Sequence, residues 1–328
     1  MTNQFKLKYD LISEYEILKM LIKQYGFSVV SCQLLTSSRN RVYKISDDIS
    51  EYIFKMYAKT VDSLEDIEGE VELLTILKDK GGSVSYPIND IEGNHIQSFE
   101  TEQGLIYGVL FSFAAGEVSI NLNDLQLMKL GEELAHLHYI TEGLELRHQL
   151  KNYDLKSILV KPFDEIKPLL NGMELEIYKL ELYVNKAVKK LEELNISAFN
   201  WGYVHCDLSP YNIHFQKDQS IIFFDFDTAG KGYFIQDISC IFIHIFNLLN
   251  SGTISPERAD KSFTVFLDSY LKIRELSNNE IDSLPYIGFS ILLLGLAFSY
   301  HYSDASPSID NLKDKLETIM RWGESQMN

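Results

Sequence analysis

The sequence predicts an α+β protein in two parts: a small strand-rich N-terminal lobe, residues 1–113, and a larger, mostly helical C-terminal lobe, residues 114–328. Three observations carry this. β-branched and aromatic runs separated by polar turns fill the first third. Beyond Gly116 the apolar residues recur at helical spacing instead. A chain of 328 residues, 45% of them hydrophobic, is also long and apolar enough to bury two cores.

Taken in order, the N-terminal residues lead into an acidic amphipathic helix and lack the apolar centre of a secretion signal. Residues 27–35, 41–45 and 52–57 then read as a three-stranded meander. Residues 63–78 follow as an amphipathic helix, with Leu64, Ile67, Val71, Leu74 and Leu77 along one stripe and acids opposite. Residues 105–113 form another apolar strand, and the change of pattern past Gly116 marks the lobe boundary. The helix at 124–139 places Leu127, Leu130, Leu134 and Leu137 on one face. Residues 174–194, 233–250, 261–273 and 286–301 read as further helices. The run Ile287 to Tyr300 has no charge, but it is shorter than the ~20 apolar residues a bilayer demands, so a buried core helix is expected. No internal repeat or low-complexity linker is visible.

Composition excludes some function classes. The net charge of −17 argues against nucleic acid and anionic membranes as partners. It suits a cationic or amine-bearing small molecule, although solubility alone explains it too. Three cysteines, Cys32, Cys206 and Cys240, are odd in number and favour a reducing, cytoplasmic setting over a disulfide framework. His136 and His138 stand two positions apart on a helix and point away from each other, and no H-E-x-x-H pattern occurs, so a zinc site is not expected.

The densest chemistry lies between residues 203 and 228. Tyr-Val-His-Cys-Asp-Leu-Ser-Pro-Tyr-Asn-Ile-His-Phe is followed by Ile-Ile-Phe-Phe-Asp-Phe-Asp-Thr. His205, Asp207, Asn212 and Asp225 have the order and spacing of a phosphoryl-transfer loop, H-x-D-L-x-x-x-N and then D-F-x. A carboxylate at Asp207 can orient an acceptor hydroxyl and take its proton. The Asn212 amide oxygen and the Asp225 carboxylate are hard donors suited to Mg²⁺ on nucleotide phosphates. Flanking apolar runs at 202–205, 213–215 and 220–224 read as short strands, and the polar turn 216–219 between the last two brings Asn212 and Asp225 together across thirteen positions. His205 reads as an internal hydrogen-bonding brace, and each acid taken alone is equally a turn or strand-end residue.

These motifs resemble the aminoglycoside phosphotransferase and choline kinase superfamily, the small-molecule branch of the protein-kinase fold. The resemblance implies a bilobal protein-kinase-like fold with ATP (GTP possible) and Mg²⁺ as cofactors. Asp227 stands where protein kinases carry Gly, and that acidic pair resembles the phosphotransferase branch. Asp227 is a further candidate for touching a second metal or the acceptor.

By the same resemblance, Lys55 in the third strand matches the family's ATP lysine, and Glu70 looks like the glutamate that pairs with it, with Glu72 the nearest alternative. The turn Thr36-Ser37-Ser38-Arg39-Asn40 takes the place of the phosphate-covering loop without any glycine, and Ser37, Ser38 and Asn40 become the donors available to phosphate oxygens. Backbone groups near Phe111 to Phe113 match the hinge that holds adenine. Asp237 matches an aspartate that anchors the catalytic loop, and it is equally placed as a first-turn acid favoured by the helix dipole.

The expected activity is transfer of the γ-phosphate of ATP to a hydroxyl of a small-molecule acceptor. Three rivals remain: a serine/threonine protein kinase, for which Ser255-Pro256-Glu257 faintly echoes A-P-E; a homoserine-kinase-like enzyme; and a nucleotide-binding scaffold without turnover. The acceptor and the oligomeric state are not encoded in any motif.

Overall fold

The computed structural model describes residues 12–28, 31–37, 39–47, 49–58, 63–101, 104–301 and 309–327. Contacts divide them into two units. The first comprises the described residues up to Thr75 together with Ser85–Phe113, and the second Ile76–Val84 together with the described residues from Ala114 onward.

The first unit is built on a five-stranded antiparallel sheet. Helix α1 (Glu14–Tyr25) begins at a capping box, in which Ser13 and Glu16 each accept a hydrogen bond from the other's backbone N–H, and ends at Gly26 in the left-handed conformation, φ 71°. Strands β1 (Ser31–Ser37), β2 (Arg41–Ser46) and β3 (Glu51–Met56) form the meander, with a bulge in β1 between Leu34 and Thr36. The polar turn expected at 36–40 is shorter than the sequence suggests, because Thr36 and Ser37 still pair with Val42 and Arg41. After helix α2 (Leu64–Asp79) come β4 (Ile96–Thr101) and β5 (Gly104–Ser112), and the strand order is β1-β2-β3-β5-β4. Ile17 and Leu21 of α1 pack with Tyr43, Ile45, Phe54, Met56, Ile106 and Leu110 to form the core of this unit.

In the second unit, α3 (Asp124–Thr141) starts at an Asn123–Gln126 capping box and packs closely on α7 (Pro256–Leu271). Gly131 permits the approach, because a Cβ there would collide with the Phe266 carbonyl. Strands β6 (Lys151–Asn152), β7 (Trp201–Val204) and β10 (Gly230–Tyr233) form a three-stranded sheet, β6-β10-β7. β8 (Ile213–Phe215) and β9 (Ile221–Phe223) form a separate hairpin. A π-helical turn at Lys156–Val160, then α4 (Lys161–Ile166) and α5 (Glu174–Glu193), precede the hairpin. After it come α6 (Ile235–Asn250), α7, α8 (Asn278–Asp282), α9 (Leu284–His301) and α10 (Ile309–Gln326).

The uncharged run at 287–300 lies within α9, which packs against α4, α5, α6 and α10. No described helix is long and apolar enough to cross a membrane. Ser255-Pro256 is a helix start: the Ser255 hydroxyl accepts the Arg258 N–H at 3.2 Å, and Pro256 occupies the first turn, where its missing N–H costs nothing.

Candidate active site

Strand β7 delivers the chain to His205, and β8 and β9 close the loop that follows. Ile213 pairs with Phe223, and the Phe224 N–H donates to the Asn212 carbonyl at 3.1 Å. The register places Asn212 beside the segment that carries Asp225, as the spacing of the motif requires. Asn212 Nδ2 donates to the Asp207 carbonyl at 2.8 Å and to Asp207 Oδ2 at 3.1 Å. With its nitrogen committed to Asp207, the Asn212 side chain is left its oxygen to offer elsewhere.

Two strained residues frame this arrangement. Cys206 and Asp225 each have φ 64°, a left-handed conformation that non-glycine residues hold only when their surroundings impose it. For Cys206 the imposing group is Asp237, in the first turn of α6. Its Oδ2 accepts the His205 N–H at 2.9 Å and its Oδ1 accepts the Cys206 N–H at 2.8 Å. The Asp237 carboxylate is buried to 1%. Burial alone raises its pKa, but the hydrogen bonds it accepts from His138 and from the His205 N–H reverse this and hold it below the usual carboxylate range.

His205 braces the loop from the other side. Its Nε2 lies 3.0 Å from the Phe224 carbonyl, which only accepts, so Nε2 carries the proton and Nδ1 is left to receive the Asp207 N–H at 3.4 Å. Thr228 Oγ1 donates to the His205 carbonyl at 3.0 Å, and the Phe226 ring lies 4.4 Å from the imidazole.

Asp207 is open to solvent on one side and crowded by protein on the others. That crowding raises its carboxyl pKa, and the charge of Asp225 adds to the rise against opposing effects of His205 and Asn212. The exposed Asp225 carboxylate and the Asn212 amide oxygen are hard-oxygen donors, and a divalent cation there would relieve the repulsion between Asp225 and Asp207. The residues present therefore fit a divalent metal.

The hairpin itself is anchored at both faces. The Phe223 N–H donates to the Ser83 carbonyl at 2.8 Å, and the Ser83 hydroxyl donates to Glu133 at 2.8 Å. Glu117 and Phe215 exchange backbone hydrogen bonds at 3.0 Å, and His214 Nδ1 lies 2.5 Å from the Ala114 carbonyl. Gly116, at φ 119°, passes so close that a Cβ would lie 2.6 Å from the Phe215 oxygen. Lys151 Nζ donates to the main-chain carbonyl of Asp227 at 3.4 Å.

In the first unit, Lys55 Nζ lies 2.9 Å from Glu70 Oε1 and 3.3 Å from Oε2, and the Tyr57 hydroxyl donates to Glu70 Oε2 at 2.9 Å. Lys55 and Glu70 are each only 5% exposed, and Glu70 rather than Glu72 takes the lysine. Position 70 is three residues after Ile67 and four before Leu74, so it belongs to the buried stripe; that spacing is the signal that separates the two glutamates. Asn40 is buried, and its Oδ1 accepts the Ala58 N–H at 3.0 Å, tying the β1–β2 turn to the chain beyond β3. Ser37 is exposed on β1, and Ser38 lies outside the described residues. Phe111 is buried in β5 opposite Ile53, with Lys55 Nζ 5.9 Å from its ring, while Phe113 lies beneath Lys44 Nζ at 5.0 Å.

The second tier of the loop's support has no signature in the sequence. His138 on α3 and Tyr270 on α7 extend the Asp237 network through side-chain hydrogen bonds of 3.2 and 2.8 Å. Tyr270 stands 132 positions from His138, and no local pattern signals such a pairing.

A five-stranded antiparallel sheet with a lysine–glutamate pair, and a helical unit carrying an H-x-D loop and a D-F-D hairpin, define a phosphotransferase with the protein-kinase-like fold. The model of the phosphotransferase enzyme family matches residues 31–263, and the chain belongs to that family. It is thus a phosphotransferase of the small-molecule kinase type, which acts on a hydroxyl group. Among solved structures, amicoumacin kinase hAmiN in complex with AMP-PNP, Ca²⁺ and Ami is similar over 98% of this chain and 95% of its own, with TM-score 0.71 and 21% identity. A microcompartment-associated aminopropanol kinase is similar over 94% of this chain and 95% of its own, with TM-score 0.73 and 18% identity. A homoserine kinase of Polaromonas naphthalenivorans is 25% identical over 247 residues, which are 75% of this chain and 73% of that protein.

Proposed function

We propose that this protein moves the γ-phosphate of ATP, bound with Mg²⁺, to a hydroxyl of a small amine-bearing acceptor in the cytoplasm. The observation that carries the reading is the single hydrogen-bonded cluster of Asp207 and Asn212, with Asp225 beside it across the hairpin. Asp207 orients the acceptor hydroxyl and receives its proton. Asn212 and Asp225 hold the metal, which when bound neutralises charge on the nucleotide phosphates. Lys55, fixed by Glu70 and Tyr57, meets nucleotide phosphate oxygens. Ser37 and Asn40, on either side of the β1–β2 turn, offer further donors to them, and the backbone around Phe111 and Phe113 holds the adenine. On this reading residues 1–113 are the nucleotide lobe and 114–328 the catalytic and acceptor lobe, although Ile76–Val84 packs with the second unit. Catalysis rests on positioning and fixed charge more than on covalent chemistry.

The amine-bearing acceptor is supported by the net charge of −17 and by the likeness to an aminopropanol kinase. The homoserine kinase relative favours a second reading, in which the acceptor is an amino acid bearing a hydroxyl. The protein-kinase rival loses its A-P-E echo, because Ser255-Pro256-Glu257 opens α7.

A coupled ADP- and GDP-release screen against amino alcohols, aminoglycosides, homoserine and a generic protein acceptor tests the proposal. Turnover with an amino alcohol or aminoglycoside, lowered roughly 10²–10⁴-fold by Asp207→Asn, is expected. Nucleotide binding without transfer to any acceptor, in both proteins, would refute it. Transfer to homoserine alone would establish the second reading.

A further inference from the structure

Asp237 holds two consecutive amides of the catalytic loop, and its own position is fixed by a second pair of buried side chains. Asp237 Oδ2 faces His138 Nε2 at 3.2 Å, and His138 Nδ1 lies 2.8 Å from the Tyr270 hydroxyl. His138 is 1% exposed and Tyr270 is fully buried, so no water competes for these partners. The Phe234 ring stacks on the imidazole at 4.4 Å with an interplanar angle of 16°, and Tyr270 meets it edge-on at 5.7 Å. The imidazole is therefore clamped in one plane.

For a neutral imidazole, donor and acceptor rules leave one arrangement of protons. The Asp237 carboxylate only accepts, so His138 must carry its proton on Nε2. Nδ1 then offers a lone pair, and the Tyr270 hydroxyl must donate to it. Burial pushes the imidazole pKa down and the phenol pKa up, which keeps both groups neutral, as this arrangement needs.

We infer that Tyr270 is a positioning residue: by donating to Nδ1 it holds the His138 ring in the place from which Nε2–H meets Asp237. The Nε2–H so set holds the Asp237 carboxylate in the orientation that grips the His205 and Cys206 amides. That grip imposes the left-handed backbone of Cys206, one residue before Asp207. The consequence for turnover rests on the proposed role of Asp207; the hydrogen-bond relay itself does not.

Tyr270→Phe keeps the ring and its packing and removes only the donor. Phe266→Leu, on the same helix and also fully buried, serves as the control for lost packing alone. Three measurements follow: ¹⁵N shifts of the His138 ring, amide exchange at His205 and Cys206 against Gly202, and kcat and KM for Mg–ATP hydrolysis with water as acceptor. In the native protein the Nε2–H tautomer is expected alone. In Tyr270→Phe the ring should keep its Nε2–H while the Nδ1 shift moves to that of a ring nitrogen accepting no hydrogen bond, and the two loop amides should exchange about tenfold faster, as expected for one weakened hydrogen bond. kcat should fall up to roughly tenfold with the KM for ATP unchanged. Phe266→Leu should shift exchange only in proportion to global stability. A native His138 protonated on Nδ1, or loop amides that exchange in Tyr270→Phe as they do in the native protein, would overturn the inference. Loosened amides with unchanged hydrolysis would uphold the relay and count against Asp207.

Discussion

Asp237→Asn is the sharpest probe of how the catalytic loop is held. The substitution preserves shape and removes a charge and one acceptor. In the native protein Oδ2 serves His205 N–H and His138 Nε2–H, while Oδ1 serves Cys206 N–H. If the asparagine nitrogen takes the place of Oδ2, His138 can switch tautomer, but the His205 N–H faces a donor. If it takes the place of Oδ1, the Cys206 N–H is orphaned instead. Either way one buried amide loses its partner, at about 1–3 kcal/mol. The remaining bonds lose their charge assistance, worth about 0.5–1 kcal/mol each. The expected destabilisation is therefore about 2–5 kcal/mol, a large share of the ~5–15 kcal/mol available to a folded domain. Urea unfolding followed by circular dichroism measures it, with an unchanged slope showing that the compactness of both states is preserved. A change under about 0.5 kcal/mol would mean that neither amide depends on the carboxylate, and the derivation would fail.

Three further outcomes follow from the geometry. Glu70→Ala should cost about 3–5 kcal/mol in unfolding free energy, because it removes the buried carboxylate that Lys55 and Tyr57 both bond, and it should raise the KM for ATP; Glu70→Gln, which keeps acceptors for Lys55 and Tyr57, should cost less. Gly116→Ala should destabilise by about 2–4 kcal/mol, since the new Cβ meets the Phe215 oxygen at a φ that alanine disfavours; wild-type thermal stability in this variant would refute the close approach. Stability should also fall as pH drops from 6.5 towards 5.5. Burial holds the pKa of His138 below its ordinary value, so the unfolded chain binds a proton that the folded one refuses, a slope approaching about 1.4 kcal/mol per pH unit. His95 and His244 are lowered by burial and act in the same direction. Urea midpoints that stay level across this window would refute it.

The grouping of the candidate residues was legible where chemistry is local. His205, Asp207, Asn212 and Asp225 sit on one loop and one hairpin, and their order predicts the register that brings them side by side. Strands rich in β-branched and aromatic residues, such as β3 and β5, and helices with a clear apolar stripe, such as α3, were legible as well. Strand β4 was not, because its inward position 97 is a glutamine. Gln97 is buried against the Tyr25 hydroxyl and Asp90, while Ile96 and Phe99 are half-exposed, so the alternation that marks a strand is blurred. The stretch at 156–170 was missed because Pro162 and Pro168 break it into a π-helical turn, a short α-helix and a 3₁₀ turn. Helix α10 carries a readable stripe of Leu316, Ile319 and Trp322, yet no element was assigned past residue 301. The start of α7 was placed five residues late, since Ser255-Pro256 resembled a kinase motif more than the helix cap it is. Tyr270 and His138 lay beyond reach, because only tertiary packing brings them together.

The β8–β9 hairpin has strands of three residues each, too short to persist unaided, yet Ser83 and Glu117 suture it along both borders. Its tip, Lys217–Asp218, points into water. A fluorophore grafted at Lys217 would therefore ride on a stiff lever roughly 16 Å long, whose opposite end is Asn212. Small displacements of the amide upon cation loading would be transmitted to the dye without placing any label near the chemistry.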